Sequence, residues 1–288
     1  MWIPAVLLAD RHATLAQQDA LGVLSWALLL WLLSRETPLV RAQVAVVVVF
    51  ATLVEYTFSP GLHVYTYRLE NVPQFVPPCH GLVYLGALAL ARTDLFRRNA
   101  RALVVATVVV GGAYALWGIS PVAPRPDVLG AFWFGCLVVF LCWGRSRLLY
   151  VGAFVVVTYL ELMGTHIGTW VWAAHDPTGL VAIGNPPTGA AGGYAWFDLA
   201  AVVAAPTVLR RVGQLRRWSW SSTAAWSRPF VDTALPLAMA GRPSSPVIVP
   251  PASVTMGTSA AMSHGDSSGS TAMSTAPSAT SRWDQKSP

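Results

Sequence analysis

Apolar positions along the chain fall into long runs, and polar positions fall between them. The runs lie near residues 20–34, 42–58, 78–91, 102–119, 128–144, 148–163 and 188–209. A helix rises 1.5 Å per residue, so runs of this length cross roughly 30 Å of hydrocarbon, with short or tilted ends. The first run looks short. The pattern predicts an all-α fold, a polytopic membrane helix bundle of about seven transmembrane helices. Pro60 stands after the second run and is expected to end it. Pro77-Pro78 and Asn185-Pro186-Pro187 open the third and seventh runs, as suits helix starts.

The arginines orient these helices. Arg35 and Arg41 separate runs 1 and 2. Arg92, Arg97, Arg98 and Arg101 separate runs 3 and 4, Arg145 and Arg147 separate runs 5 and 6, and Arg210, Arg211, Arg216 and Arg217 follow run 7. The other connections carry only Arg68, only Arg125, or none. By the positive-inside rule the N-terminus lies outside and the C-terminus inside, and the 2–3 and 6–7 connections both face outward. A seven-span domain over 1–218 is expected, followed by a disordered cytoplasmic tail over 219–288, where Ser, Thr, Ala, Pro and Gly dominate. Trp218, Trp220 and Trp226 are expected at the membrane surface.

Composition agrees. The chain is 54% hydrophobic and 11% charged, with mean hydropathy +0.51, where a soluble domain carries about 25% charged residues. This places it in the cell membrane as a multi-pass protein. The net charge of +6 reflects arginines flanking apolar runs, so no nucleic-acid partner is expected. Cys79, Cys136 and Cys142 form no C-x-x-C, and no His-x3-His occurs. Neither a disulfide framework, a metal site nor a cofactor is expected. Residues 1–19 have no basic n-region, and no cleaved signal peptide is read there.

Chemistry concentrates in three acids within the runs, Glu55, Glu161 and Asp198, with no Lys or Arg beside them. A charged group in hydrocarbon costs at least about 2.5 kcal/mol and faces a cavity or a partner. Without a basic partner, each carboxyl is either protonated, which suits a general acid, or holds a cation. Glu55 and Glu161 lie at matching depths near the outer ends of their runs. Asp198 lies roughly 15 Å deep in the last run. Tyr194, four residues before Asp198, shares its face and is expected to hydrogen-bond to it. His80, in the first turn of run 3, is expected to be neutral because the positive end of the helix disfavours imidazolium. Blander roles stand beside these: backbone hydrogen bonding for the glutamates, helix-to-helix adhesion for Asp198, and an interfacial position for His80. His63, His166 and His175 in the outer loops are expected to take no catalytic part.

The two outward connections share a pattern. A Glu is followed by a Gly and by two aromatics spaced by one residue, then by a Pro-Pro pair: Glu55, Gly61, Tyr65 and Tyr67 in one copy, Glu161, Gly168, Trp170 and Trp172 in the other. This reads as a degenerate parallel repeat of spans 2–3 and 6–7, and such repeats place sites at their mutual interface. The aromatics are either an interfacial belt or a π-faced wall for a cation. Gly184, Gly189, Gly192 and Gly193 are expected to let helices pack closely.

At Glu55, Gly61, Tyr65, Tyr67, Val72-Pro73, Trp170, Trp172 and Asn185 the chain resembles the carotenoid biosynthesis membrane family that includes the bisanhydrobacterioruberin hydratases. The family's Gly-Thr and Pro-Phe-Gly elements are missing after the first Glu, where Phe58-Ser59-Pro60 stands, although Gly164-Thr165 follows the second. The resemblance implies acid-catalysed addition of water to an isoprenoid C=C bond. Glu55 or Glu161 would be the proton donor, and Asp198 or His80 would activate water. Tyr65, Tyr67, Trp170, Trp172, Asn185 and Tyr194 would bind an apolar isoprenoid-like substrate arriving from the bilayer. Two other classes stand against this reading: a proton- or cation-coupled transporter using the paired carboxylates, and a non-catalytic membrane subunit.

Overall fold

The computed structural model describes residues 2–226 apart from residue 145, with side chains described to residue 214. The chain is mostly helical: α1 (Trp2–Asp10), α2 (Leu15–Leu33), α3 (Pro38–Tyr56), α4 (Val76–Arg92), α5 (Asp94–Arg98), α6 (Ala100–Gly118), α7 (Val128–Trp143), α8 (Arg147–Ile167) and α9 (Ala190–Trp226), with two three-residue strands, β1 (Tyr65–Tyr67) and β2 (Trp170–Trp172). Each apolar run of the sequence is a helix. Five stretches are long and apolar enough to cross a membrane: Leu15–Leu33, Pro38–Gly61, Ala100–Gly118, Arg147–Ile167 and Ala190–Gln214. Helices α4 and α7 are shorter, at 17 and 16 residues.

Local chemistry sets the boundaries. Thr14 caps α2 in a reciprocal capping box with Gln17. Thr37 caps α3 just before Pro38. Gly168, at φ 79°, closes α8 in the left-handed region that glycine reaches without strain. Pro60 does not end the second run. The chain stays helical through Gly61 as a π turn (Thr57–Gly61) with Pro60 inside it. Proline has no N–H to give, and the wider turn lets Leu62 N–H reach the Thr57 carbonyl at 2.8 Å instead. Helices α1 and α5 were not expected. The N-terminal stretch before α2 is itself helical, and Thr93 both ends α4 and caps α5.

Four helices surround the centre of the bundle. Helix α3 packs on α4 and α9, and α8 packs on the same two. Helix α2 flanks α4, while α7 flanks α9 and α6 packs on α7 and α8. Small residues permit the closest approaches: a Cβ on Gly192 would collide with the Trp133 carbonyl of α7. Over one end of this ring, β1 and β2 pair antiparallel, with Tyr65 opposite Trp172 and Tyr67 opposite Trp170. The two segments that share the Glu-Gly-aromatic pattern therefore meet strand to strand. Helix α9 continues beyond the expected boundary at residue 209 to Trp226. Residues 227–288 lie outside the described residues, as do the side chains of Trp218, Trp220 and Trp226. The expectations of a disordered tail and of tryptophans at the membrane surface fall largely there.

Candidate active site

Beneath the strand pair lies a cavity of about 250 Å³. It is lined by Glu55 at the end of α3, Phe58 of the π turn that follows, His80 and Cys79 of α4, Glu161 of α8, Tyr194 and Phe197 of α9, and the aromatics of β1 and β2. Ile3 and Leu7 of α1 and Trp133 of α7 also line it. Strand alternation aims the aromatics inward, since residues i and i+2 share a face. Tyr65, Tyr67 and Trp172 are each at most 7% exposed. The interfacial-belt reading therefore fails for these three: their rings close the cavity.

Each glutamate is held by the strand of its own segment. Glu55 Oε2 accepts hydrogen bonds from the Tyr65 and Tyr67 hydroxyls, both at 2.8 Å. Glu161 Oε2 accepts from the indole N–H groups of Trp170 and Trp172, both at 3.1 Å. The closeness of Trp170 requires Gly164, because a Cβ there would occupy the Trp170 ring. Cross-strand contacts join the two clusters, with the Tyr65 and Trp172 ring centroids 4.6 Å apart.

The carboxyls differ in what remains unbonded. Glu55 Oε1 lies 2.8 Å from His80 Nε2, so both Glu55 oxygens are occupied. Burial, and then the Glu55 carboxyl itself, holds the Tyr65 and Tyr67 phenols far above their ordinary range, so they serve as donors. His80 Nδ1 is buried without a hydrogen-bond partner among the described residues. The neutral Nε2–H tautomer leaves only an unmet acceptor at Nδ1, whereas imidazolium would leave an unmet charged donor, a larger penalty. Glu55 then takes three donated hydrogen bonds, the arrangement of an ionised carboxylate. At Glu161 two indoles, which can only donate, occupy Oε2. Oε1 takes no hydrogen bond from the described residues, and it is the oxygen on which a proton would sit.

The other expected site residues divide. Tyr194 lines the cavity but does not bond Asp198. It stacks on His80 instead, with centroids 5.2 Å apart and planes inclined by 25°. Tyr194 and His80 each lie four residues past the first residue of their helix, Ala190 and Val76, which brings them level across the ring. Asp198 is buried at 5% exposure but lies a turn deeper and does not line the cavity. Its Oδ2 has no hydrogen-bond partner among the described residues. Asn185 does not line the cavity either. Its Oδ1 accepts the Trp172 backbone N–H at 3.0 Å and so holds β2 in place. His63, His166 and His175 stand outside the cavity.

Two arrangements were not anticipated. Asp127 caps α7 and binds across to the segment before α9. It accepts from Gly130 and Gly184 N–H on Oδ1, and from the Thr188 N–H and hydroxyl on Oδ2, at 2.6 to 2.9 Å. Its position after Pro126 and directly before an apolar run was a readable capping signal. Second, Asp10 of α1 accepts from Gln18 at 2.8 Å and stands 3.5 Å from Arg68, while Gln18 accepts from Asn71. This network fastens α1 to the connection carrying β1, so that Ile3 and Leu7 reach the cavity. No local pattern signals it, because its members are up to 61 residues apart (Asn71 and Asp10, 71 − 10).

Among the described residues no group of three or more His, Cys, Asp or Glu could hold a metal ion. Comparison with known proteins found no matching family model, no matching curated protein and no matching solved structure.

Proposed function

We propose that the chain is a seven-span protein of the cell membrane, N-terminus outside and C-terminus inside, whose cavity is an acid–base centre adding water to a C=C bond of an apolar, isoprenoid-like substrate. The asymmetry of the two carboxyls carries this reading. Glu161 holds both indole donors on one oxygen and leaves the other unbonded among the described residues, as a general acid requires. Glu55, with three donors, is the stable anion.

In the proposed reaction the Glu161 Oε1–H proton passes to one alkene carbon, and the π electrons form the new C–H bond. The other carbon becomes a tertiary cation, faced by the rings of Tyr65, Tyr67, Trp170 and Trp172. Water bonds to that carbon, and its surplus proton goes to the Glu55–His80 pair. Its return to Glu161 closes the cycle, with one water consumed and no net proton taken up. Asp198 is given no part in this chemistry, because it does not line the cavity. The carotenoid biosynthesis family that the motifs resemble supplies the substrate class.

A second reading, a proton-coupled carrier, is favoured by one observation. Asp198, buried and with its Oδ2 unpartnered among the described residues, follows Tyr194 by one turn on α9, below the carboxyl cavity. Buried acids stacked along a helix face are what proton relays use.

The test is a lipid and pigment mass profile of cells carrying the wild-type chain, Glu55→Gln/Glu161→Gln, or no chain. A neutral isoprenoid gaining the mass of one water with the wild type alone is the expected outcome. Three identical profiles would overturn the hydratase reading, and proton flux in vesicles abolished by the same double substitution would put the carrier in its place.

A further inference from the structure

The end of the bundle opposite the strand pair holds a second cavity, of about 580 Å³, lined by residues of α3, α4, α8 and α9. Its polar lining is Gln43, Tyr84, Arg92, Ser146 and Arg147, and its apolar lining includes Leu88, Leu149 and Val202. Helix α4 ends there at Arg92 and α8 begins there at Arg147. Asp198 does not line it.

Four features coincide. Tyr84 is 2% exposed and lines the cavity, and its hydroxyl makes no hydrogen bond with the described residues. Gln43 has no side-chain hydrogen bond among the described residues either. At α8, Ser146 occupies the cap position but makes no side-chain cap bond; its carbonyl takes the Leu149 N–H at 2.9 Å, and the Arg147 and Leu148 N–H groups have no partner among the described residues. Arg147 spends one N–H on the Cys142 carbonyl at 2.7 Å and keeps its charge, whereas Arg92 is matched by Glu36 at 2.8 Å.

We propose that this cavity binds a phosphate-bearing anion. Arg147 and the open N–H groups of α8 would bind the charge, and the Tyr84 hydroxyl and the Gln43 amide would bind the remaining oxygens. Leu88, Leu149 and Val202 would contact an attached apolar portion. The same chemistry fits an anionic lipid headgroup or a free phosphate compound. The cavity is distinct from the carboxyl cavity, and the proposal does not depend on the hydratase reading.

The test uses the full-length chain purified in neutral detergent, with native mass spectrometry as the readout. One arm offers phosphatidylglycerol against phosphatidylcholine, and the other offers inorganic phosphate alone. Wild type should retain phosphatidylglycerol, inorganic phosphate, or both, in preference to phosphatidylcholine. Arg147→Gln, an exposed position, should weaken retention about tenfold or more, and Tyr84→Phe should weaken it by a smaller factor. Arg97→Gln, on α5 outside the cavity, should leave it unchanged. Retention of phosphatidylglycerol alone identifies a lipid site, and phosphate retention identifies a site for free phosphate compounds. No retention in either arm, retention unaffected by Arg147→Gln, or an equal loss in Arg97→Gln would overturn the proposal.

Discussion

Glu55 and Glu161 are the same residue type in matching sequence contexts, and their neighbours make them different. Tyrosine can donate and accept, whereas indole only donates. Two tyrosines and a histidine satisfy Glu55 completely, while two tryptophans satisfy one oxygen of Glu161 and leave the other. Removing one donor from a buried carboxylate costs about 2 kcal/mol. Tyr67→Phe is therefore expected to lower the unfolding free energy in mixed micelles by that amount. Tyr56→Phe, whose hydroxyl bonds nothing described, should be neutral. The sequence made the glutamates legible as candidates because uncompensated acids in apolar runs are costly. It left open which one would bear a proton, because that depends on the donors the strand pair delivers. The proposed Tyr194–Asp198 bond was a helix-spacing argument. It failed because His80, far away in sequence, presents a ring on which Tyr194 stacks.

Two elements do most to position the site, and they differ in how readable they were. The β1–β2 pair is only three residues per strand, too short for a periodicity signal. Its existence follows from the Tyr-x-Tyr and Trp-x-Trp pattern only once the two segments are known to be adjacent. The connection before α9 is tied down by Asp127, which takes hydrogen bonds from three backbone N–H groups and the Thr188 hydroxyl. Asp127→Ala leaves those buried donors unmet. It is expected to destabilise the protein by about 3 kcal/mol or more and to raise hydrogen exchange at Gly184 and Thr188, because the connection would loosen. Asp127→Asn, which keeps an acceptor, should recover part of both effects. The boundary at Pro60 was misplaced for a different reason. The rule that proline breaks a helix ignores the option of widening the last turn to π.

At the scale of the whole molecule, the apolar runs made the seven longer helices legible though not all of their ends, because burying about 20 apolar residues in lipid overrides local preferences. How those helices are arranged was not legible. That α4 and α9 bring His80 and Tyr194 together depends on side-chain fit between helices whose surfaces are mostly apolar. The proposed orientation has a direct test. In a background with Cys79, Cys136 and Cys142 replaced by serine, Thr178→Cys should react with a membrane-impermeant maleimide in intact cells, and Arg97→Cys only after lysis. The reverse pattern would invert the topology. The central claim is that one cavity holds an acid at Glu161 and an anion at Glu55. The most direct measurement of it is the infrared carboxyl C=O band of the purified protein at neutral pH, compared among wild type, Glu161→Gln and Glu55→Gln, with thermal unfolding showing that each variant is folded. The expected result is a protonated-carboxyl component that disappears in Glu161→Gln and persists in Glu55→Gln. Its loss in Glu55→Gln with retention in Glu161→Gln, or its absence from the wild type, would contradict the assignment.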